Sequence, residues 1–89
     1  MRAYIGLQGQ GEAAHLREFR ELVEAHQSRI YSLAYRMVGD TGLAEEVAQD
    51  AFLQLHASLV SGQVASEEHA LAWLRRAAVH RAKIGRAHV

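Results

Sequence analysis

Eighty-nine residues carry ten Lys plus Arg, ten Asp plus Glu, six His, no Cys and no Pro. That length leaves room for one domain, which buries about 60 to 65% of the surface its unfolded chain exposes. Without cysteine there is neither a disulfide framework nor a thiolate zinc site, which excludes a small secreted scaffold and makes the reducing cytoplasm the expected compartment.

Taken in chain order, residues 1–11 contain Gly6, Gly9 and Gly11 and are expected to form a short helix or an arm. They lack the n-region and h-region of a signal peptide, and no run of roughly 18 apolar residues follows, so no membrane segment is expected. Residues 12–38 place Phe19, Leu22, Val23, His26, Ile30, Leu33, Ala34 and Met37 at spacings of three and four. That is one stripe of an amphipathic helix. Gly39 can end it in the left-handed conformation, and Asp40 or Thr41 can cap the next.

The second helix is expected over residues 42–59, burying Ala44, Val47, Ala48, Ala51, Phe52, Leu55 and Leu59. Its other face presents Glu46, Gln49, Asp50 and Leu53. Residues 60–65 have Ser, Gly and no period, which reads as a loop. Ser66 followed by Glu67 and Glu68 is a helix start, a capping hydroxyl with negative charge beside the positive end of the helix dipole. The third helix is expected to run to about Lys83, with Leu71, Leu74 and Ala78 inward and Trp73 and Ala77 beside them. Arg76, His80 and Lys83 then form one outward stripe at i, i+4 and i+7. No segment alternates with period two, so the expected fold is all-α.

The formal charge of zero conceals a distribution. Between Met37 and Leu74 stand Asp40, Glu45, Glu46, Asp50, Glu67 and Glu68 and not one Lys or Arg; after Leu74 come Arg75, Arg76, Arg81, Lys83 and Arg86 and no acid. Charge alone fits two surfaces for two kinds of partner, and it fits equally the solvated faces of any short helical protein.

Enzymatic chemistry needs a constellation that this chain does not offer. The glycines follow no strand, no GxxxxGK[ST] is present, and no His pair has metal-ligand spacing. The serines have no base partner in sequence and read as capping or solvent-facing hydroxyls. The chain is therefore read as not an enzyme, with no metal and no cofactor.

Ile30-Tyr31-Ser32-Leu33-Ala34-Tyr35-Arg36-Met37-Val38-Gly39-Asp40, then Ala44-Glu45-Glu46-Val47-Ala48-Gln49-Asp50-Ala51-Phe52-Leu53, then Ala72-Trp73-Leu74-Arg75-Arg76-Ala77-Ala78-Val79-His80-Arg81-Ala82 stand in order. Together they resemble region 2 of the sigma-70 family, more narrowly its extracytoplasmic-function (ECF) members. The resemblance covers residues 12–83 and implies a three-helix domain, a helical hairpin plus a DNA-facing third helix. It implies a bacterial transcription initiation factor that docks on core RNA polymerase and directs melting of the promoter −10 element. On this resemblance Glu46, Gln49, Asp50 and Leu53 bind the clamp coiled coil of the largest polymerase subunit. Arg75, Arg76, His80, Arg81 and Lys83 face DNA, and the loop and helix start over residues 60–69 hold an extruded base. An anti-sigma factor is a further implied partner.

Three departures bear on those roles. His56 stands where relatives carry Trp or Tyr, Ala70-Leu71 replaces an aromatic and basic pair, and His80 replaces Asn. Residues 84–89, Ile-Gly-Arg-Ala-His-Val, leave the family pattern and are expected to be a non-native tail. The family's second domain, region 4, which reads the −35 element, is absent, so the chain is expected to be a truncated member. Two other classes stay open on the residues alone: a helical adaptor that uses the acidic patch and never touches DNA, and a DNA-binding module without polymerase contact.

Overall fold

Two glycines and two caps divide this chain. In the computed structural model, which describes residues 2–64 and 66–87 with side chains over residues 16–64 and 66–85, the elements are α1 (Arg2–Val38), α2 (Thr41–Val60) and α3 (Glu67–Ala87). Gly39 ends α1 at φ +68°, donating its N–H to the Tyr35 carbonyl at 2.7 Å. Asp40 is extended, and its Oδ1 accepts the Leu43 N–H at 2.8 Å. One turn residue thus stops a helix and the next starts another, which fixes α1 and α2 as a hairpin.

Replacing Asp40 with Ala is expected to cost about 1 kcal/mol through the lost cap. Gly39→Ala is expected to cost about 1 to 2 kcal/mol, because an L side chain is strained in the left-handed region. Urea unfolding followed by Trp73, the single Trp, measures both.

Gly62 takes φ +76° after α2, and the Gln63 N–H returns to the Ser58 carbonyl at 2.9 Å. Ser66 opens α3 as expected, its Oγ accepting the His69 N–H at 3.0 Å. Two boundaries differ from the sequence expectation. Helix α1 begins at Arg2, so the arm over residues 1–11 is continuous with it where described, and α3 passes Lys83 to reach Ala87. Both have the same cause. No proline or turn chemistry interrupts either end, and single glycines, although each costs about 1 kcal/mol against Ala, keep their helical N–H bonds. Residues 88 and 89 lie outside the described residues.

Each helix touches the other two. The interior is Ile30 and Ala34 from α1, Ala44, Val47, Ala51 and Leu55 from α2, and Ala70, Leu74, Ala78 and Ala82 from α3, all fully excluded from solvent. Six of these are alanine, and methyl-sized contacts let helix backbones approach closely. Phe19 extends the seam between α1 and α2, its ring edge-on to Phe52 at 6.4 Å and to His56 at 5.0 Å.

Trp73 packs half-buried against the core, as its spacing suggests, with no partner for its indole N–H. His26 is buried on the α1 stripe without a hydrogen bond, its Nε2 lying 3.4 Å from Glu67 Oε1. Leu22, Val47, Phe52, Leu55 and Leu59 are buried as expected, while Phe19, Val23, Leu33, Met37, Ala48 and Leu71 are partly covered at the margins of the core.

Candidate functional site

Residues spaced i, i+3, i+4 and i+7 share one helix face. On α2, Glu46, Gln49 and Leu53 are exposed and Asp50 is half-exposed beside them, opposite the buried Val47, Ala51 and Leu55. Leu53 is 67% exposed, the most open of the large apolar side chains in the described residues. An isolated exposed leucine needs no explanation, but one flanked by carboxylates and an amide forms a surface with an apolar anchor and charged acceptors.

The Asp50 carboxylate is already partly engaged. Its Oδ2 accepts from Gln54 Nε2 at 2.8 Å, one turn on, and lies 3.9 Å from Arg81 Nε of α3. The pair spans the gap between α2 and α3.

Beside this face runs a groove of about 640 Å³ between α1 and α2, floored by Phe19, Val23, Tyr31, Ala48 and Phe52, with Glu45, Gln49 and Leu53 along its α2 wall. Gln49 and Leu53 therefore belong to both the outer face and the groove. No motif or spacing in the sequence singles the groove out. Its only trace there is the width of the apolar stripes, with Val23 and Tyr31 on α1 and Ala48 and Phe52 on α2 flanking the fully buried positions.

On α3 the five basic-helix candidates separate. Arg75, Arg76, His80 and Lys83 are exposed, and between Glu68 and Lys83 no acid shares their helix. Arg81 is half-buried and turned toward α2. The reason is angular: seven residues after Leu74 and three after Ala78, it falls on the buried stripe, roughly 200° around the helix from Lys83. Its guanidinium lies beside Gly85, where a Cβ would stand in ordinary contact, 3.4 Å from Arg81 Nη1. The 3.6-residue period carries this signal, which a reading by charge alone passes over.

Val60, the last residue of α2, is 56% exposed, and in the loop Val64 packs against the core; Ala65 lies outside the described residues. Among the described residues no group of three His, Cys, Asp or Glu is placed to hold a metal ion, and no helix is long and apolar enough to cross a membrane.

Comparison with known proteins adds a family to this geometry. A family model described as Sigma-70 region 2 matches residues 22–84. The chain is 35% identical over 66 residues to the ECF RNA polymerase sigma factor SigE of Mycolicibacterium smegmatis, an alignment covering 74% of this chain and 24% of that protein. It is 37% identical over 43 residues to the ECF RNA polymerase sigma factor SigW of Bacillus subtilis, covering 48% of this chain and 23% of that protein. The chain thus spans about a quarter of the length of these curated relatives. No solved structure matches it.

Proposed function

The chain belongs to the sigma-70 region 2 family, and from that membership we propose that it acts as the region 2 domain of an ECF-type sigma factor, binding core RNA polymerase and the −10 element of promoter DNA. The observation that carries this reading is the division of the two exposed helix faces. Glu46, Gln49, Asp50 and Leu53 stand on α2, and Arg75, Arg76, His80 and Lys83 stand on α3.

The α2 face suits a basic coiled coil, the clamp of the largest polymerase subunit. Carboxylates there accept charge-assisted bonds from Arg or Lys, and Leu53 supplies an apolar anchor. The α3 face suits a polyanion: each phosphate neutralised by Arg or Lys releases counterions and adds a salt-dependent increment of affinity. Holding the −10 strand open also requires a place for an unstacked base, because unpairing costs a few kcal/mol. The loop between α2 and α3, with the first turn of α3, is assigned that role.

No bond is made or broken in this work, so the domain is a non-enzymatic initiation factor without a cofactor, acting in the cytoplasm beside the polymerase. The α1/α2 groove supports an anti-sigma factor as regulator. A helix seated there covers Gln49 and Leu53 and so competes with the clamp.

Replacing Arg76 and Lys83 together with Ala is expected to weaken binding of a −10 non-template strand by the core complex. The slope of log affinity against log salt should flatten by about 1.4, at roughly 0.7 per lost phosphate contact on single strands. Anisotropy of a labelled oligonucleotide over a salt series measures it. An unchanged slope removes α3 from the DNA surface.

A further inference from the structure

Asp50 carries two oxygens with room for about four hydrogen-bond donors, and among the described residues one of the two oxygens is engaged. Gln54 Nε2 and Arg81 Nε both address Oδ2, at 2.8 Å and 3.9 Å, and among the described residues Oδ1 takes no hydrogen bond or ion pair. A carboxylate on two flexible bonds loses rotamer entropy when a partner captures it. One already held from its inner side, with the other oxygen free, loses less.

Arg81 is suited to that holding role. Its position on the inward stripe, turned away around the helix from Arg76 and Lys83, sets it toward α2. We propose that Arg81 is a positioning residue of the polymerase-binding surface, orienting Asp50 so that Oδ1 meets the partner, and that it makes no phosphate contact. This rests on the reading of the α2 face as the polymerase site. It ties the basic helix to the acidic one through a single ion pair, so the sequence of α3 tunes an affinity expressed on α2.

A double-mutant cycle on the full chain, titrated against core RNA polymerase, tests this. Asp50→Asn should weaken binding about tenfold or more, the scale of one charge-assisted hydrogen bond. Arg81→Ala should weaken it about two- to fivefold, the scale of a half-exposed ion pair. The double variant should be no weaker than Asp50→Asn alone, because Arg81 acts only through that carboxylate. Arg81→Lys should recover part of the loss. Arg81→Gln, which keeps the stem packing without the charge, should behave like Arg81→Ala. In each complex the salt slope for the −10 strand should stay at the wild-type value.

Wild-type affinity in both Arg81→Ala and Arg81→Gln, losses that add in the double variant, or a salt slope reduced by about 0.7 each overturn the proposal. If Asp50→Asn itself binds as wild type, the polymerase reading of α2 fails and takes this inference with it. If Asp50→Asn is weakened and the Arg81 variants are not, only the inference fails. Trp73 fluorescence during urea unfolding separates a positioning effect from loss of fold.

Discussion

Reversing charge at two α2 positions at once, Glu46→Lys with Asp50→Lys, is expected to abolish co-purification with core RNA polymerase. Each lost charge-assisted bond is worth about 1.5 to 3 kcal/mol, so the pair alone weakens association about a thousandfold, and the new repulsion against a basic partner adds to that. The fold should survive. Glu46 is exposed and makes none of the ion pairs found among the described residues, while Asp50 gives up its contacts to Gln54 and Arg81, which lie at the bundle surface. Circular dichroism and Trp73 fluorescence verify the fold, and recovery of wild-type amounts of core on the immobilised variant would remove the acidic face from the interface.

Two leucines two residues apart on α2 should give opposite results. Leu55 is fully buried and Leu53 is 67% exposed. Leu55→Ala is expected to destabilise the domain by about 2 to 5 kcal/mol, through lost transfer energy plus a residual cavity. The total stability of a chain this size is about 4 to 13 kcal/mol, so a large fraction of the protein unfolds at modest urea. Leu53→Ala should shift stability by no more than about 0.5 kcal/mol yet weaken core binding by more than about 1 kcal/mol, the mark of an interface anchor. Urea midpoints and polymerase titration check the two sides. Equal destabilisation by both variants would show that Leu53 serves the core instead of a partner.

How much of this was legible in the sequence depends on how local the physics is. The hairpin at Gly39 and Asp40 and the start of α3 at Ser66 could be read because capping is decided within four residues. The buried stripes could be read because a 3.6-residue period is internal to each helix. The exposed set Glu46, Gln49 and Leu53 follows from the same period. The inward turn of Arg81 is equally readable from its offset to Leu74 and Ala78, a signal that sorting α3 by charge passes over.

Other features were out of reach for a physical reason. The reach of α1 back to Arg2 and of α3 to Ala87 depends on the absence of a stop, which composition states only weakly when glycine is the sole breaker. The α1/α2 groove and the Asp50–Arg81 pair depend on how far apart two helices settle. That distance is set by which side chains meet across the interface, and no single segment contains it.

The alanines at that interface have a consequence for how the gene can change. An alanine codon is one nucleotide from Val, Thr, Ser, Pro, Gly and an acidic residue. Almost every such step at Ala34, Ala44, Ala51, Ala70, Ala78 or Ala82 adds volume, adds an unpaired polar group or breaks the helix, and each of those is destabilising in a packed interior. A leucine-filled core can drift to Ile or Met at small cost. This one has few neutral neighbours in codon space, so its interior should stay small-sided while the surfaces on α2 and α3 diverge with their partners.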